Sequence, residues 1–167
     1  SLSFDVIHWD HERAADILVD YSWDDEENEY GYKGSSFATG VAGHGGSSPY
    51  EITIPLIASG PAFKLGYVSP FPTSNTDIVP TILHYYGIPI PESMDGRVMN
   101  EFLIHSPVAE YLVVKKEPLQ AMAEYSWGTY GLTLERSVIG EQHYVDFTRV
   151  ERKLTQKKCG PLSHDES

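Results

Sequence analysis

The chain has 167 residues, of which 41% are hydrophobic and 12% aromatic, enough for one domain with its own core and too many for a disordered polymer. Twelve Lys and Arg stand against 24 Asp and Glu, a formal net charge of -12, which excludes binding to nucleic acid or an anionic membrane by charge. The single cysteine, Cys159, excludes an internal disulfide framework and a cysteine-rich zinc site.

The chain begins without methionine or a basic, cleavable leader and enters at once into Phe4-Asp5-Val6-Ile7, so it reads as a start inside a fold. No apolar run approaches the roughly 18 residues of a membrane span. After a polar turn at residues 10–13, residues 15–23 are β-branched and aromatic enough to predict a strand. An acidic run at residues 24–29 then reads as a solvated face. It leads into a Gly/Ser-rich stretch that ends in Gly43-His44-Gly45-Gly46-Ser47-Ser48. A connection of that length is unusual without a functional reason, and its glycines allow a sharp turn that presents the His44 imidazole.

Residues 52–58 are almost continuously apolar and predict a buried strand, with Pro55 arguing for an edge or a bulge. Asn75 or Thr76 is expected to cap a helix running to Tyr86, with Pro80 near its first turn. Ile78, Ile82 and Tyr85 would form its buried face, and His84 its surface. Gly87 should end it, and Pro89 and Pro91 prevent its return. Residues 94–103 predict a turn and a short helix, and residues 111–114 a strand. Residues 131–138 and 143–147 predict a hairpin with a longer loop at 139–142. Residues 152–167 read as a flexible tail. Trp9, Trp23 and the aromatic-rich residues 125–130 are expected in the core. The whole is α/β, one unit over residues 1–167.

Four phrases in this order carry a resemblance. They are Gly43-His44-Gly45, Pro55-Leu56-Ile57-Ala58-Ser59-Gly60-Pro61, Asp77-Ile78-Val79-Pro80-Thr81-Ile82-Leu83 with Gly87-Ile88, and Met94-Asp95-Gly96-Arg97. The sequence resembles the C-terminal portion of the alkaline phosphatase superfamily, closest to its type I phosphodiesterase and nucleotide pyrophosphatase branch, which is related to the sulfatases. The likeness is strongest over residues 11–103.

The resemblance implies the C-terminal part of an alkaline-phosphatase-like α/β sandwich with a terminal β-hairpin, and a metal-dependent hydrolase of phosphate esters. It implies His44 as a ligand to one of two metal ions, usually zinc, and a partner in the missing N-terminal half of the same enzyme. Work outside the cytoplasm is implied by resemblance only. The family's nucleophile and remaining metal ligands have no counterpart here: Asp10-His11 is followed by Glu12 where the family has glycine. No catalytic residue is therefore assigned within the chain, and the chain by itself is expected to be inactive, since zinc sites take three or four protein ligands.

The other readings are a sulfatase-type hydrolase of the same superfamily, acting on sulfate esters, or a truncated non-catalytic α/β module. His8, His105, His143 and His164 have no partner spacing and read as structural or exposed. Ser47 and Ser48 lack the surroundings of a nucleophile elbow.

Overall fold

The computed structural model describes residues 3–7, 9–35, 46–106 and 112–155. Its elements begin with a 3-10 turn at Phe4–Ile7, β1 (Trp23–Asp24), β2 (Gly34–Ser35) and α1 (Pro49–Ile52). A second 3-10 turn at Asn75–Asp77 leads into α2 (Ile78–Tyr85), and a third covers Asn100–Phe102. The strands β3 (Val114–Lys116), β4 (Leu119–Tyr125), β5 (Gly128–Ile139) and β6 (Gln142–Leu154) complete the order. The described residues are α/β, with an open antiparallel sheet.

β5 is the centre of that sheet. β6 pairs along one side of it, and β3 and β4 share the other. Pro118 separates β3 from β4 because it has no N–H for a ladder, while Glu117 N–H still reaches the Arg136 carbonyl at 3.0 Å. The register aligns Leu119, Leu134 and Thr148 across the sheet, then Ala121, Leu132 and Val150. The other set aligns Gln120, Thr133 and Arg149, then Met122, Gly131 and Glu151. One face is therefore mainly apolar and the other polar, as an antiparallel sheet solvated on one side requires. Leu134, Val138, Ile139 and Tyr144 are buried on this sheet, with Met99 and Leu103 from the segment before it.

The hairpin lies where the sequence predicts it, but its strands are longer and its loop tighter. Only Gly140 and Glu141 separate β5 from β6, and Gly140 takes the positive φ of 60° that such a turn demands. β4 was not foreseen, because Met, Gln, Ala and Glu carry little strand propensity. It forms because a second two-residue turn, Ser126-Trp127, folds it back on β5. The aromatic residues there are not core: Tyr125 and Trp127 stack on each other with ring centroids 5.1 Å apart and remain exposed. Trp9 is exposed as well. The strand expected at residues 111–114 begins only at Val114.

Two further expectations are corrected. Residues 52–58 hold no strand: α1 ends at Ile52 and the chain continues extended and unpaired, with Ile57 89% exposed. Apolar character alone does not make a strand, which needs a second segment to accept its hydrogen bonds. Of the strand expected at residues 15–23, only Trp23 is in a ladder, paired with Ser35.

α2 confirms the predicted helix and corrects its details. Ser74, not Asn75 or Thr76, caps the 3-10 turn that leads into α2: its side chain accepts from Thr76 N–H, and Asp77, the residue before α2, accepts from the Ser74 N–H at 2.9 Å, a reciprocal capping box. The helix ends as the sequence indicates. Gly87, at φ 66°, lets its N–H reach the His84 carbonyl and the Ile88 N–H reach the Leu83 carbonyl, the Schellman pattern. The buried residues of α2 are Pro80 and Thr81, whereas Ile82 and Tyr85 are exposed. Thr81 wins the inner face because its hydroxyl donates to the Asp77 carbonyl at 2.7 Å and accepts the Met99 N–H at 2.9 Å. His84 is exposed, as expected.

Candidate functional site

His44, the residue the sequence singles out, lies outside the described residues, as do His8 and His164. The described chain resumes at Gly46, and its next residues are tied firmly to the sheet. The Ser47 carbonyl accepts the Thr148 N–H of β6 at 2.8 Å, and the Thr148 hydroxyl donates to Ser47 Oγ at 2.5 Å. Ser47 N–H donates to Asp20 Oδ2 at 3.0 Å. The Trp23 indole N–H donates to the Thr148 carbonyl on the same strand edge. Trp23 also meets Phe147 edge-on at 6.0 Å and Tyr50 at 6.4 Å, with the Arg149 guanidinium 5.5 Å above it.

Ser48 is fully buried and donates to Glu51 Oε2 at 2.5 Å. That bond engages the Ser48 hydroxyl within the buried turn. Tyr50 donates to Asp25 Oδ1 at 2.7 Å, and this bond, with Asp25's charge, holds its phenol above the ordinary pKa. The acidic run thus lies in solvent, except where Asp25 fixes α1. Beside these anchors an open groove of about 830 Å³ runs between residues 18–25 and the outer edge of β6, lined by Asp20, Asp24, Arg149 and Arg152 among others.

The other two phrases of the sequence signature meet in a buried polar lock. Asp77 is 0% exposed, and its Oδ1 accepts the Arg97 N–H at 2.8 Å. The Arg97 guanidinium grips Glu101 in a bidentate pair at 2.5 and 2.9 Å. Its Nε donates to the Tyr144 hydroxyl at 2.8 Å, and Nη2, which also holds Glu101 Oε1, donates to the Pro72 carbonyl at 3.1 Å. Glu101 is 1% exposed. Burial opposes the charge on Arg97, but Glu101 and Tyr144 more than offset it, so the guanidinium is held more firmly protonated than usual. Burial pushes the Tyr144 phenol up, which the Arg97 charge opposes and the nearby Asp77 carboxylate assists. Gly96 makes the close approach possible: a Cβ there would sit 2.0 Å from the Thr76 carbonyl oxygen.

Sequence reading saw Asp77 and Arg97 only as parts of phrases. Glu101 was missed, although its i,i+4 spacing from Arg97 was a signal that could have found it. Tyr144 and Thr148 carried no local signal, because β6 brings them from far along the chain.

A pH dependence follows from Tyr144. Its folded pKa is raised above the unfolded value of about 10, so its contribution is complete below that pH and is lost as pH rises through the folded value. Stability should fall between about pH 9 and about pH 10.5, and Tyr144→Phe should flatten that slope, whatever its constant offset. Urea titrations of both proteins at the two pH values measure it.

Among the described residues, no three His, Cys, Asp or Glu side chains gather to hold a metal ion. The described residues alone therefore do not make a zinc site. No described helix is long and apolar enough to cross a membrane.

Comparison with known proteins bears on the family alone. Over 49 residues the chain is 49% identical to the sulfatase ppz1 of Metarhizium majus (strain ARSEF 297). The matched stretch is 29% of this chain and 12% of that protein, so the chain spans only a small part of the relative it matches. No family model and no solved structure matches. The likeness supports a sulfatase-like hydrolase family, within the sulfatase and alkaline phosphatase superfamily, and nothing finer.

Proposed function

We propose that this chain is the C-terminal portion of a metal-dependent ester hydrolase of the sulfatase type, to which it contributes His44 as a metal ligand. The observation that carries the reading is the 49% identity over 49 residues to a sulfatase-named protein. The ordered phrases from His44 to Arg97 support it. So does the anchoring of Ser47 to β6, three residues along the chain from His44.

In this reading the remaining metal donors and the nucleophile come from chain outside these residues. The lock around Asp77 and Arg97 and the sheet are scaffold. A divalent metal would supply charge stabilisation to the departing ester oxygen, and a pair of zinc ions goes with the phosphodiesterase branch. Phosphodiester cleavage, the branch closest by phrase order, is the second reading.

The test is turnover of an aryl sulfate and of an aryl phosphodiester by the polypeptide extended toward its N-terminus. We expect the sulfate ester to be preferred. His44→Ala should release about one metal equivalent and slow turnover about 10-fold or more, since a direct ligand matters at least as much as the groups that orient it. Unchanged metal content in His44→Ala would remove His44 from the site. Preference for the phosphodiester would favour the second reading.

A further inference from the structure

The two outer edges of the sheet differ in a way the proposed hydrolase does not explain. Beyond Thr148 the β6 edge carries Arg149, Glu151, Arg152 and Lys153, the charged residues that discourage another strand from pairing. The β4 edge, Leu119-Gln120-Ala121-Met122-Ala123-Glu124-Tyr125, has one charge, no proline and no bulge. Met122 at its middle is 76% exposed. Among the described residues, no strand pairs with this edge.

The register decides which backbone groups that edge offers. Trp127 accepts the Thr155 N–H and so faces β6 at that position, while Arg136 accepts the Glu117 N–H and faces the opposite side. Alternation along β5 then turns Gly128, Tyr130, Leu132 and Leu134 toward β4, where they meet Tyr125, Ala123, Ala121 and Leu119. The N–H and C=O groups of Gln120, Met122 and Glu124 consequently point outward.

We propose that this edge pairs antiparallel with the same edge of a second copy of the chain, about a two-fold axis at Met122. The sequence is self-complementary in that register. Met122 falls opposite Met122, Gln120 opposite Glu124, Ala121 opposite Ala123, and Leu119 opposite Tyr125. The outward groups of Gln120, Met122 and Glu124 meet as hydrogen-bonded pairs, each of which exchanges both of its bonds. No like charges face each other, two alanines leave the backbones room to approach, and Leu119 with Tyr125 forms an aliphatic–aromatic pair on the apolar face. An isologous contact of this kind closes on itself and makes a dimer with one continuous sheet.

Sedimentation velocity of the 167-residue chain at rising concentration tests this, with three variants in a Cys159→Ser background. The parent should dimerise. Met122→Pro removes an N–H that faces away from β5, so it should spare the fold by circular dichroism while weakening the dimer about 10-fold or more. Met122→Lys sets like charges opposite each other across the axis and should weaken it by a similar factor. Met122→Cys should cross-link on oxidation, because Cα atoms of a hydrogen-bonded pair lie about 5.5 Å apart, within disulfide reach.

A parent that stays monomeric together with no Met122→Cys cross-link would overturn the proposal, whether another segment covers the edge or nothing does. A dimer that survives both Met122→Pro and Met122→Lys would also overturn it, placing the contact on another surface. Neither result bears on the sulfatase-type reading, which rests on other residues.

Discussion

Arg97→Ala should lower the folding free energy by about 3–5 kcal/mol, the usual cost of leaving a buried charge without its partner. Glu101 is 1% exposed and Asp77 is 0% exposed, so both carboxylates are buried beside the guanidinium. The Asp77 carboxylate keeps its backbone donors, Ser74 N–H at 2.9 Å and residue 97 N–H at 2.8 Å. Glu101, which takes both guanidinium bonds, bears the loss.

Arg97→Lys should recover less than half of it, because one ammonium cannot span both Glu101 oxygens, the Tyr144 hydroxyl and the Pro72 carbonyl as the planar fork does. Replacing both partners, Arg97→Met with Glu101→Leu, should be milder than Arg97→Ala alone, since no unpaired charge remains. Urea denaturation followed by circular dichroism ranks the three. An Arg97→Ala loss below about 1 kcal/mol, the value of an exposed pair, would mean that this lock is solvated.

Gly96→Ala is the second large effect, and it acts through space alone. The added Cβ would lie 2.0 Å from the Thr76 oxygen, 2.4 Å from its carbonyl carbon and 2.8 Å from the Asp77 nitrogen. All three are backbone atoms of the capping turn, so no side chain can swing aside. The turn and the helix start must separate, which stretches the Arg97 N–H bond to Asp77. The expected cost is about 3 kcal/mol, the upper end for overpacking. For a chain of this size that is a fall in Tm of roughly 6–12 °C. A comparison substitution, Gly66→Ala, meets nothing within 4 Å but carries a φ of 64°, and should cost only about 1 kcal/mol. If the two variants melt together, close packing at Gly96 is not what holds this turn.

The legible parts of the site were those written in neighbouring residues. Gly43-His44-Gly45 named the candidate ligand, and Met94-Asp95-Gly96-Arg97 marked a turn whose glycine and arginine both have work in the structure. What the turn was for could not be read, because its partners Thr76, Asp77 and Tyr144 belong to other segments. Thr148 is the same case: an ordinary strand threonine by sequence, it ties the residues after the glycine loop to the sheet through its amide and its hydroxyl.

The stop of α2 at Gly87, the place of the β5–β6 hairpin and the exclusion of a disulfide framework came from the sequence by itself. Each depends on the φ preference, missing atoms or composition of residues adjacent in the chain. Tertiary structure decided the rest. It left residues 52–58 unpaired despite their apolar run, recruited β4 from residues of low strand propensity, and turned Thr81 rather than Ile82 inward. A helix satisfies its own backbone within four residues, whereas a strand or a buried polar side chain must find its partner elsewhere, and local sequence does not encode where that partner stands.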